Sequence, residues 1–312
     1  MANFDIPLIK PVHYKLVISG SMLEIYNFFC PIIFGAKDRT DRVEEIKQEK
    51  LPLTAEQKNE VILSSARRAK RNIRRLIYAN AWRWFKTSGR PYTPIPITLT
   101  FRDDIQDVET GNVEFTKFVR RLNYEVGIIE GGKNTAESKK SVLKYLGVIQ
   151  FQPESQKVHY HVLFFNLPFM KNIYDRMDRI WGKGFFNING KDKGSFKTLT
   201  EKVNIKKVID YYSQYITQAC YDRRLFGKKK CFGSRGLLKP ITIYREKLIL
   251  QIFNELPDEM LVFEKEKIPV PYLISFDYYR YNLTDEQLEK DILNYIDPYY
   301  EIYPLLPEVI RR

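Results

Sequence analysis

The feature that most constrains the fold is a pair of short apolar runs, at residues 143–152 and 158–165. Each run has the length of one strand and is rich in β-branched and aromatic residues. Residues 153–157 between them begin with a proline and are otherwise polar, which indicates a turn. The two runs therefore predict an antiparallel β-hairpin.

The segments on either side of this hairpin alternate between strand and helix patterns. Residues 97–101 alternate β-branched and apolar residues and predict a strand with one buried face, and residues 184–188 predict another strand. Apolar residues at helical spacing predict helices at 115–124, 174–181 and 204–221. This order is typical of an α+β domain, so we predict a central antiparallel sheet with flanking helices.

A long basic helix is predicted upstream of this core. It begins with a capping box, Thr54 followed by Gln57, and residues 54–87 contain neither proline nor glycine, which favours one helix. Its polar face is predicted either to contact a DNA backbone or to remain a solvated basic face. The cations on this face are Arg67, Arg68, Lys70, Arg71, Arg74 and Arg75.

Three parts of the chain are predicted from these patterns. Residues 1–90 form an N-terminal region that contains the basic helix, and residues 91–240 form the core. Residues 241–312 mix apolar and acidic residues without a clear period, and we predict a mainly helical accessory region there. The phosphate-binding motif GxxxxGK[ST] does not occur in the sequence, which argues against an ATP-driven motor.

The composition favours a soluble protein with a phosphate-rich partner. Lys and Arg number 51 against 38 Asp and Glu, so the formal net charge is +13. The three cysteines lack CxxC spacing, which indicates neither a disulfide framework nor a zinc knuckle. Since no apolar run approaches the roughly 18 residues of a membrane span, we expect a cytoplasmic protein without a membrane anchor.

Two of the three histidines in the chain lie in one tripeptide of the predicted hairpin. His159 and His161 are two positions apart on a strand, so their imidazoles point to the same face and can reach one metal ion. Tyr160 between them should point the other way, toward the core. The alternative is a pair of unrelated strand histidines.

An oxygen ligand would complete a site for a hard cation such as Mg²⁺ or Mn²⁺. Gln150 and Gln152 on the partner strand share a face, and we favour Gln152 because it is nearer the turn. Glu154 is a further candidate, and either glutamine is alternatively a polar residue on a half-solvated strand.

Two tyrosines of the predicted helix 204–221 also share a face. Tyr211 and Tyr215 are four residues apart, so both phenols project from one side, whereas Tyr212 is turned away by about 100°. Two hydroxyl groups can thus serve one site. The alternative is an aromatic stripe that packs on a sheet.

Taken together, four segments resemble the HUH endonucleases, which include the replication initiators of filamentous phages and small plasmids. The resemblance extends from about residue 64 to residue 240. It rests on ITLTFRD (97–103), VHYHVLFF (158–165), the pair Tyr211 and Tyr215, and GKKKCFGSRGLLKP (227–240).

The resemblance implies that His159 and His161 bind a divalent metal, that Gln152 completes the metal site and that Tyr211 and Tyr215 attack DNA. The expected activity is nicking of single-stranded DNA at a replication origin, with a 5′-phosphotyrosine link and a free 3′-OH that primes rolling-circle replication. In similar proteins a lysine usually precedes the second tyrosine, and Gln214 departs from that pattern.

The expected partners are origin DNA and, by analogy, a helicase and a polymerase of a bacterial host. Cations after the tyrosine helix are predicted to contact phosphates: Lys228, Lys229, Lys230 and Arg235. The competing interpretations are a conjugative relaxase, an HUH transposase and a DNA-binding regulator that does not cleave.

Overall fold

Strand-forming segments from both halves of the chain build two antiparallel sheets of five strands each. The computed structural model describes residues 11–33, 54–131, 143–188, 205–270, 273–283 and 291–292. Its strands are β1 (Pro11–Ser19), β2 (Met22–Ile33), β3 (Ile95–Phe101), β4 (Tyr145–Phe151), β5 (Val158–Phe164), β6 (Gly184–Ile188), β7 (Cys231–Gly233), β8 (Ile241–Ile243), β9 (Leu261–Val270) and β10 (Leu273–Asn282). Its α-helices are α1 (Ala55–Asn80), α2 (Val108–Gly131), α3 (Ile173–Trp181), α4 (Ile205–Tyr221) and α5 (Glu246–Glu255). The fold is α+β, as predicted.

The described residues divide into two compact units, which lie within 1–58 plus 239–305 and within 59–238. None of the helices in the described part of the chain is long and apolar enough to span a membrane.

The sheet of the unit 59–238 has the strand order β6-β3-β5-β4-β7. The predicted hairpin is confirmed, since β4 and β5 pair antiparallel and Gln150 lies opposite His159. On the other side of β5, Thr98 lies opposite His161 and Thr100 opposite His159. This register brings polar side chains from three adjacent strands to one face.

The opposite face of this sheet carries the larger apolar core. Side chains such as Leu99 of β3 and Val162 of β5 are inaccessible to solvent and pack with residues of α2 and α3. Tyr160 also lies on this face, with its ring against Phe115 and its hydroxyl donating to Asn112 Oδ1 at 2.9 Å. The prediction that Tyr160 points toward the core is therefore confirmed.

The face that carries the histidines is covered in part by α1 and α4. Leu146 and Val148 of β4 pack there with Ile77 of α1 and with Tyr212 and Ile216 of α4. This second apolar cluster holds α4 against β4, so that the helix lies beside the polar positions of β3, β4 and β5.

The basic helix begins as predicted but ends earlier. At its start the Thr54 backbone N–H donates to Gln57 Oε1 and the Gln57 N–H donates to Thr54 Oγ1, which is the predicted capping box. The helix ends at Asn80, whose buried side chain bonds to both the N–H and the carbonyl of Leu238. Trp82 then has a φ of 63°, which is incompatible with a continuing helix.

Helix α2 begins at Val108, ahead of the predicted start. Asp107 accepts a hydrogen bond from the Thr110 backbone N–H at 2.7 Å and so caps the helix. Gly111 in the first turn conceals this start in the sequence, since glycine usually weakens helices. Here a Cβ at Gly111 would lie 2.8 Å from the Tyr160 hydroxyl, so the glycine permits close packing of helix on sheet.

The second sheet corrects the prediction of a mainly helical accessory region at residues 241–312. Its strand order is β8-β1-β2-β10-β9, and the described part of that region contains three strands and the ten-residue helix α5. The strands acquire a core only by pairing with β1 and β2, far away in sequence, so no local period reveals them. Residues 293–312 lie outside the described residues.

Candidate active site

His159 and His161 project from β5 toward the face on which α4 lies, and threonines of β3 contact both rings. His159 Nδ1 is 2.9 Å from Thr100 Oγ1, and His161 Nδ1 is 3.3 Å from Thr98 Oγ1. The two imidazole centroids are 4.7 Å apart. The alternation of residues 97–101 contained the signal for these threonines, because Thr98 and Thr100 fall on the face opposite the buried Ile97 and Leu99 positions.

Gln150 is the glutamine that contacts His161. His161 Nε2 lies 2.8 Å from Gln150 Oε1, and Gln150 Nε2 donates to Gln218 Oε1 at 2.6 Å. The side chain of Gln152 instead accepts a hydrogen bond from Ser155 Oγ at 2.6 Å within the turn. The geometry therefore favours Gln150 as the oxygen ligand, and a ligand role for Gln152 stays a prediction.

Tyr211 and Tyr215 lie on one face of α4, as their spacing predicts, and both contact His161. The Tyr211 hydroxyl is 3.0 Å from His161 Nδ1 and 3.3 Å from Thr98 Oγ1. The Tyr215 ring stacks on the His161 imidazole at 3.6 Å between centroids, and the two tyrosine rings are 4.6 Å apart. Two phenols and one imidazole thus form a single cluster.

Tyr212, between the two, is turned into the core and is inaccessible to solvent. Among the described residues its hydroxyl has no hydrogen-bond partner. Burial raises the pKa of this phenol well above its ordinary value. Tyr212 therefore serves packing, and Tyr211 and Tyr215 are the tyrosines of α4 that contact His161.

Burial keeps both histidines neutral. It lowers the pKa of His159 to about 4, and burial together with the neighbouring His159 lowers the pKa of His161 to about 2. A neutral imidazole is the form that binds a metal ion. Burial and a hydrogen bond with Tyr211 raise the pKa of Tyr215, so its phenol needs a nearby positive charge to ionise.

The donor set suits a hard divalent cation that accepts nitrogen and amide oxygen ligands. No group of three His, Cys, Asp or Glu in the described ranges is close enough to hold a metal, so a metal site beside His161 would need an amide ligand. His161 Nε2 and Gln150 Oε1 are 2.8 Å apart. Neighbouring ligands of an octahedral ion bound at about 2.0–2.1 Å lie roughly 2.9 Å apart, which fits this pair.

The predicted DNA-contacting cations are mostly exposed. Arg67, Arg68 and Arg71 of α1 are exposed, while Arg74 and Arg75 are half-buried. After α4, Lys228, Lys229 and Arg235 are exposed and Lys230 is half-buried. Their contact with phosphates stays a prediction.

Residues 95–219 match a family model of replication-associated proteins, described as Replication-associated protein ORF2. The matched segment begins with β3 and ends within α4, so it contains His159, His161, Tyr211 and Tyr215. The match indicates a replication-associated protein with DNA as its partner and is consistent with a phage or plasmid replication initiator. No curated protein and no solved structure matches the chain.

Proposed function

We propose that this protein is a rolling-circle replication initiator of the HUH type, which nicks single-stranded DNA at an origin by tyrosine attack. The observation that carries the proposal is the 3.0 Å distance between the Tyr211 hydroxyl and His161 Nδ1, within the segment that matches a replication-associated family. A phenolic oxygen held against an imidazole N–H is stabilised as the phenolate, which is the form that attacks phosphorus.

The proposed reaction is a transesterification. The Tyr211 oxygen attacks the scissile phosphorus, the bond from phosphorus to the 3′ oxygen breaks, and the phenolic proton is transferred in exchange to that oxygen. The products are a 5′-phosphotyrosine and a free 3′-OH. The phosphodiester energy is retained in the new ester, so ATP is not consumed.

His161 positions and activates the Tyr211 phenol. The ordinary pKa of a tyrosine is near 10, so the phenolate is rare at neutral pH. When Nδ1 of His161 carries the ring proton, it donates to the Tyr211 oxygen and stabilises the phenolate. Thr98, 3.3 Å from the same oxygen, restricts its position further.

In that tautomer Nε2 of His161 carries a lone pair that faces Gln150 Oε1. These two acceptor atoms are 2.8 Å apart, an arrangement that would be stabilised by a cation bound to both. His159, His161 and Gln150 would hold Mg²⁺ or Mn²⁺, with Gln152 the ligand predicted from sequence. The ion would offset negative charge on the nonbridging phosphate oxygens and orient the phosphate.

The second phenol supplies a second cleavage, which allows the strand to be rejoined. After one round of synthesis, attack by Tyr215 on the regenerated junction would free a second 3′-OH. That hydroxyl can then attack the first phosphotyrosine, so the strand is rejoined. The 4.6 Å between the two rings allows both phenols to use one phosphate site in turn.

The substrate is single-stranded at the cut. The Tyr211 hydroxyl lies against Thr98 and His161 on the face of the sheet, so we expect a scissile phosphate to reach it in line only when the strand is unstacked from a duplex. Exposed cations on α1 and after α4 would follow the backbone, and a host helicase and polymerase in the bacterial cytoplasm would unwind and extend the strand.

The test is a nicking assay on a library of single-stranded oligonucleotides with Mn²⁺ or Mg²⁺. Wild type should give cleaved DNA and a covalent protein–DNA band on a denaturing gel, and chelation should abolish both. The variants Tyr211→Phe and Tyr215→Phe together should abolish the band, whereas Tyr212→Phe, the same change at a buried neighbour, should retain it. DNA binding without cleavage of any sequence would favour a regulator.

A further inference from the structure

A small cavity opens beside the candidate active site, between the turn that joins β4 to β5 and the end of α4. Its volume is about 260 Å³. This is below the roughly 300–1,000 Å³ of pockets that hold drug-sized ligands, so it suits a single ring system. Phe151, Ala219 and Leu225, all buried, form its apolar lining.

The polar lining of the cavity is electrically balanced. The Arg224 guanidinium bonds to both carboxylate oxygens of Asp222, at 3.0 and 2.7 Å, and to Gln156 Oε1 at 2.8 Å. Hydrogen bonds from Arg224 lower the pKa of Asp222, so this carboxylate is ionised at neutral pH. An ionised carboxylate repels phosphate, so the cavity favours a neutral polar ligand over an anion.

The remaining lining is rich in amides. Gln218 Oε1 accepts from Gln150, and Gln152 Oε1 accepts from Ser155, so the amide hydrogens of Gln152 and Gln218 are not used in those bonds. Amide donors match the acceptor atoms on the edges of nucleobases.

A flat surface accompanies these donors. The Arg224 guanidinium lies 3.6 Å from the centroid of the Phe151 ring. The guanidinium thus covers that face of the ring, and 41% of the Arg224 side chain is exposed, so Arg224 supplies the surface offered to a base. Guanidinium planes are among the groups on which unstacked bases are held in single-strand recognition.

The cavity is connected to the candidate active site through one side chain. Gln150 contacts His161 with its oxygen and bonds to Gln218 with its nitrogen. A ligand that contacts Gln218 is therefore separated from His161 by a single amide, which is close enough for a nucleotide next to the scissile phosphate.

We infer that this cavity is a specificity pocket for one unstacked nucleobase of the single strand, next to the cut and with acceptor atoms on its edge. The inference rests on the proposed function, because it takes the cut site to be at His161. The pocket would make nicking depend on the base at one position.

The experiment combines one protein variant with removal of one base at a time. Wild type and Gln218→Leu are compared on a cleavable oligonucleotide and on a series with an abasic site at each position near the cut. In wild type, one abasic position should slow nicking about tenfold, as expected for loss of one stacked base. In Gln218→Leu, the same abasic position should have no further effect. Gln251→Leu, an exposed glutamine of α5 changed in the same way, should behave as wild type.

Three outcomes separate the pocket from the nicking activity. If Gln218→Leu slows all oligonucleotides equally and keeps the abasic penalty, Gln218 only orients Gln150 and the pocket is overturned. If no abasic position matters in wild type, the pocket is overturned while nicking stands. If nothing is cut, binding of the same oligonucleotides is measured by fluorescence anisotropy. Weaker binding at one abasic position in wild type, with no such loss in Gln218→Leu, supports the pocket without the nuclease. Equal binding of all oligonucleotides by wild type overturns the pocket.

Discussion

The two faces of the sheet β6-β3-β5-β4-β7 are built from alternate residues of the same strands, yet they differ in kind. On one face Leu99, Tyr160 and Val162 are inaccessible to solvent and join the larger core. On the other, Thr98 and His161 keep polar atoms that bond to each other and to Tyr211. Because side chains alternate between the two faces along a strand, one strand contributes residues both to the core and to the candidate active site.

The two faces differ in what their buried side chains contribute. The packed face gains stability from apolar burial, whereas the polar face buries two imidazoles and holds a phenol against one of them. Buried polar groups stabilise less than apolar ones even when they are hydrogen-bonded. The histidine face also carries apolar residues such as Leu146 and Val148, which pack against α1 and α4. We therefore expect substitutions of the apolar core residues to act on folding and those of the polar side chains around His161 to act on nicking.

The largest expected effect is on the packed face. Tyr160→Ala removes a buried ring that packs on Phe101, Phe115 and Phe232, so the free energy of unfolding should fall by about 3–5 kcal/mol in urea denaturation. Tyr160→Phe loses only the bond to Asn112 and should cost about 1 kcal/mol. A loss below about 1 kcal/mol for Tyr160→Ala would show that the packed face does not dominate the stability of the fold.

On the polar face, His161→Ala should reduce nicking at least about 100-fold, because the change removes both a proposed metal ligand and the group proposed to position Tyr211. The free energy of unfolding should change less than in Tyr160→Ala. His13→Ala in β1 is the matched control and should nick as wild type. Equal nicking by His161→Ala and wild type would remove His161 from the mechanism.

The pH dependence of stability should reveal the buried histidines. Their folded pKa values, about 4 and about 2, lie below the ordinary 6.5, so below pH 6.5 the unfolded chain binds protons that the folded chain does not. Stability is therefore full above about pH 6.5 and declines as the pH falls toward about 4.

The measurement is urea denaturation in chelator between about pH 7 and 4. The slope for His161→Asn should be smaller than that of wild type by up to about 1.4 kcal/mol per pH unit. Parallel curves for the two proteins would mean that His161 has its ordinary pKa in the folded state and is not held neutral by burial.

The smallest effect is expected at Tyr212. Its buried hydroxyl has no partner among the described residues, so Tyr212→Phe should leave the free energy of unfolding unchanged or raise it by up to about 1 kcal/mol. Thermal denaturation measures this shift. A clear destabilisation would show that the Tyr212 hydroxyl contributes to the stability of the fold.

Local patterns predicted most of the unit 59–238. The spacing of His159 and His161, the pair Tyr211 and Tyr215 and the hairpin that carries the histidines depend only on the periods of strands and helices. Local patterns could not decide whether Gln150 or Gln152 lies beside the histidines. The answer depends on the register of β4 against β5, which places Gln150 opposite His159.

The other features that the sequence did not predict also depend on contacts between distant parts of the chain. Gln218 follows Tyr215 by three residues on the same helix face, but only its bond to Gln150 reveals its place. The strands β1 and β2 pair with β8 and β10 across most of the chain, and no window of the sequence contains both partners. Pairing over such separations is set by tertiary contacts.

In the proposed reaction a phenol beside His161 becomes covalently linked to DNA. The most direct test is tryptic digestion of the protein–DNA adduct and fragmentation of the peptide 208–223, which contains Tyr211, Tyr212, Tyr215 and Tyr221. We expect a nucleotide mass on Tyr211 or Tyr215. A link to Tyr212, Tyr221 or any residue outside this peptide would contradict it, as would cleavage without an adduct.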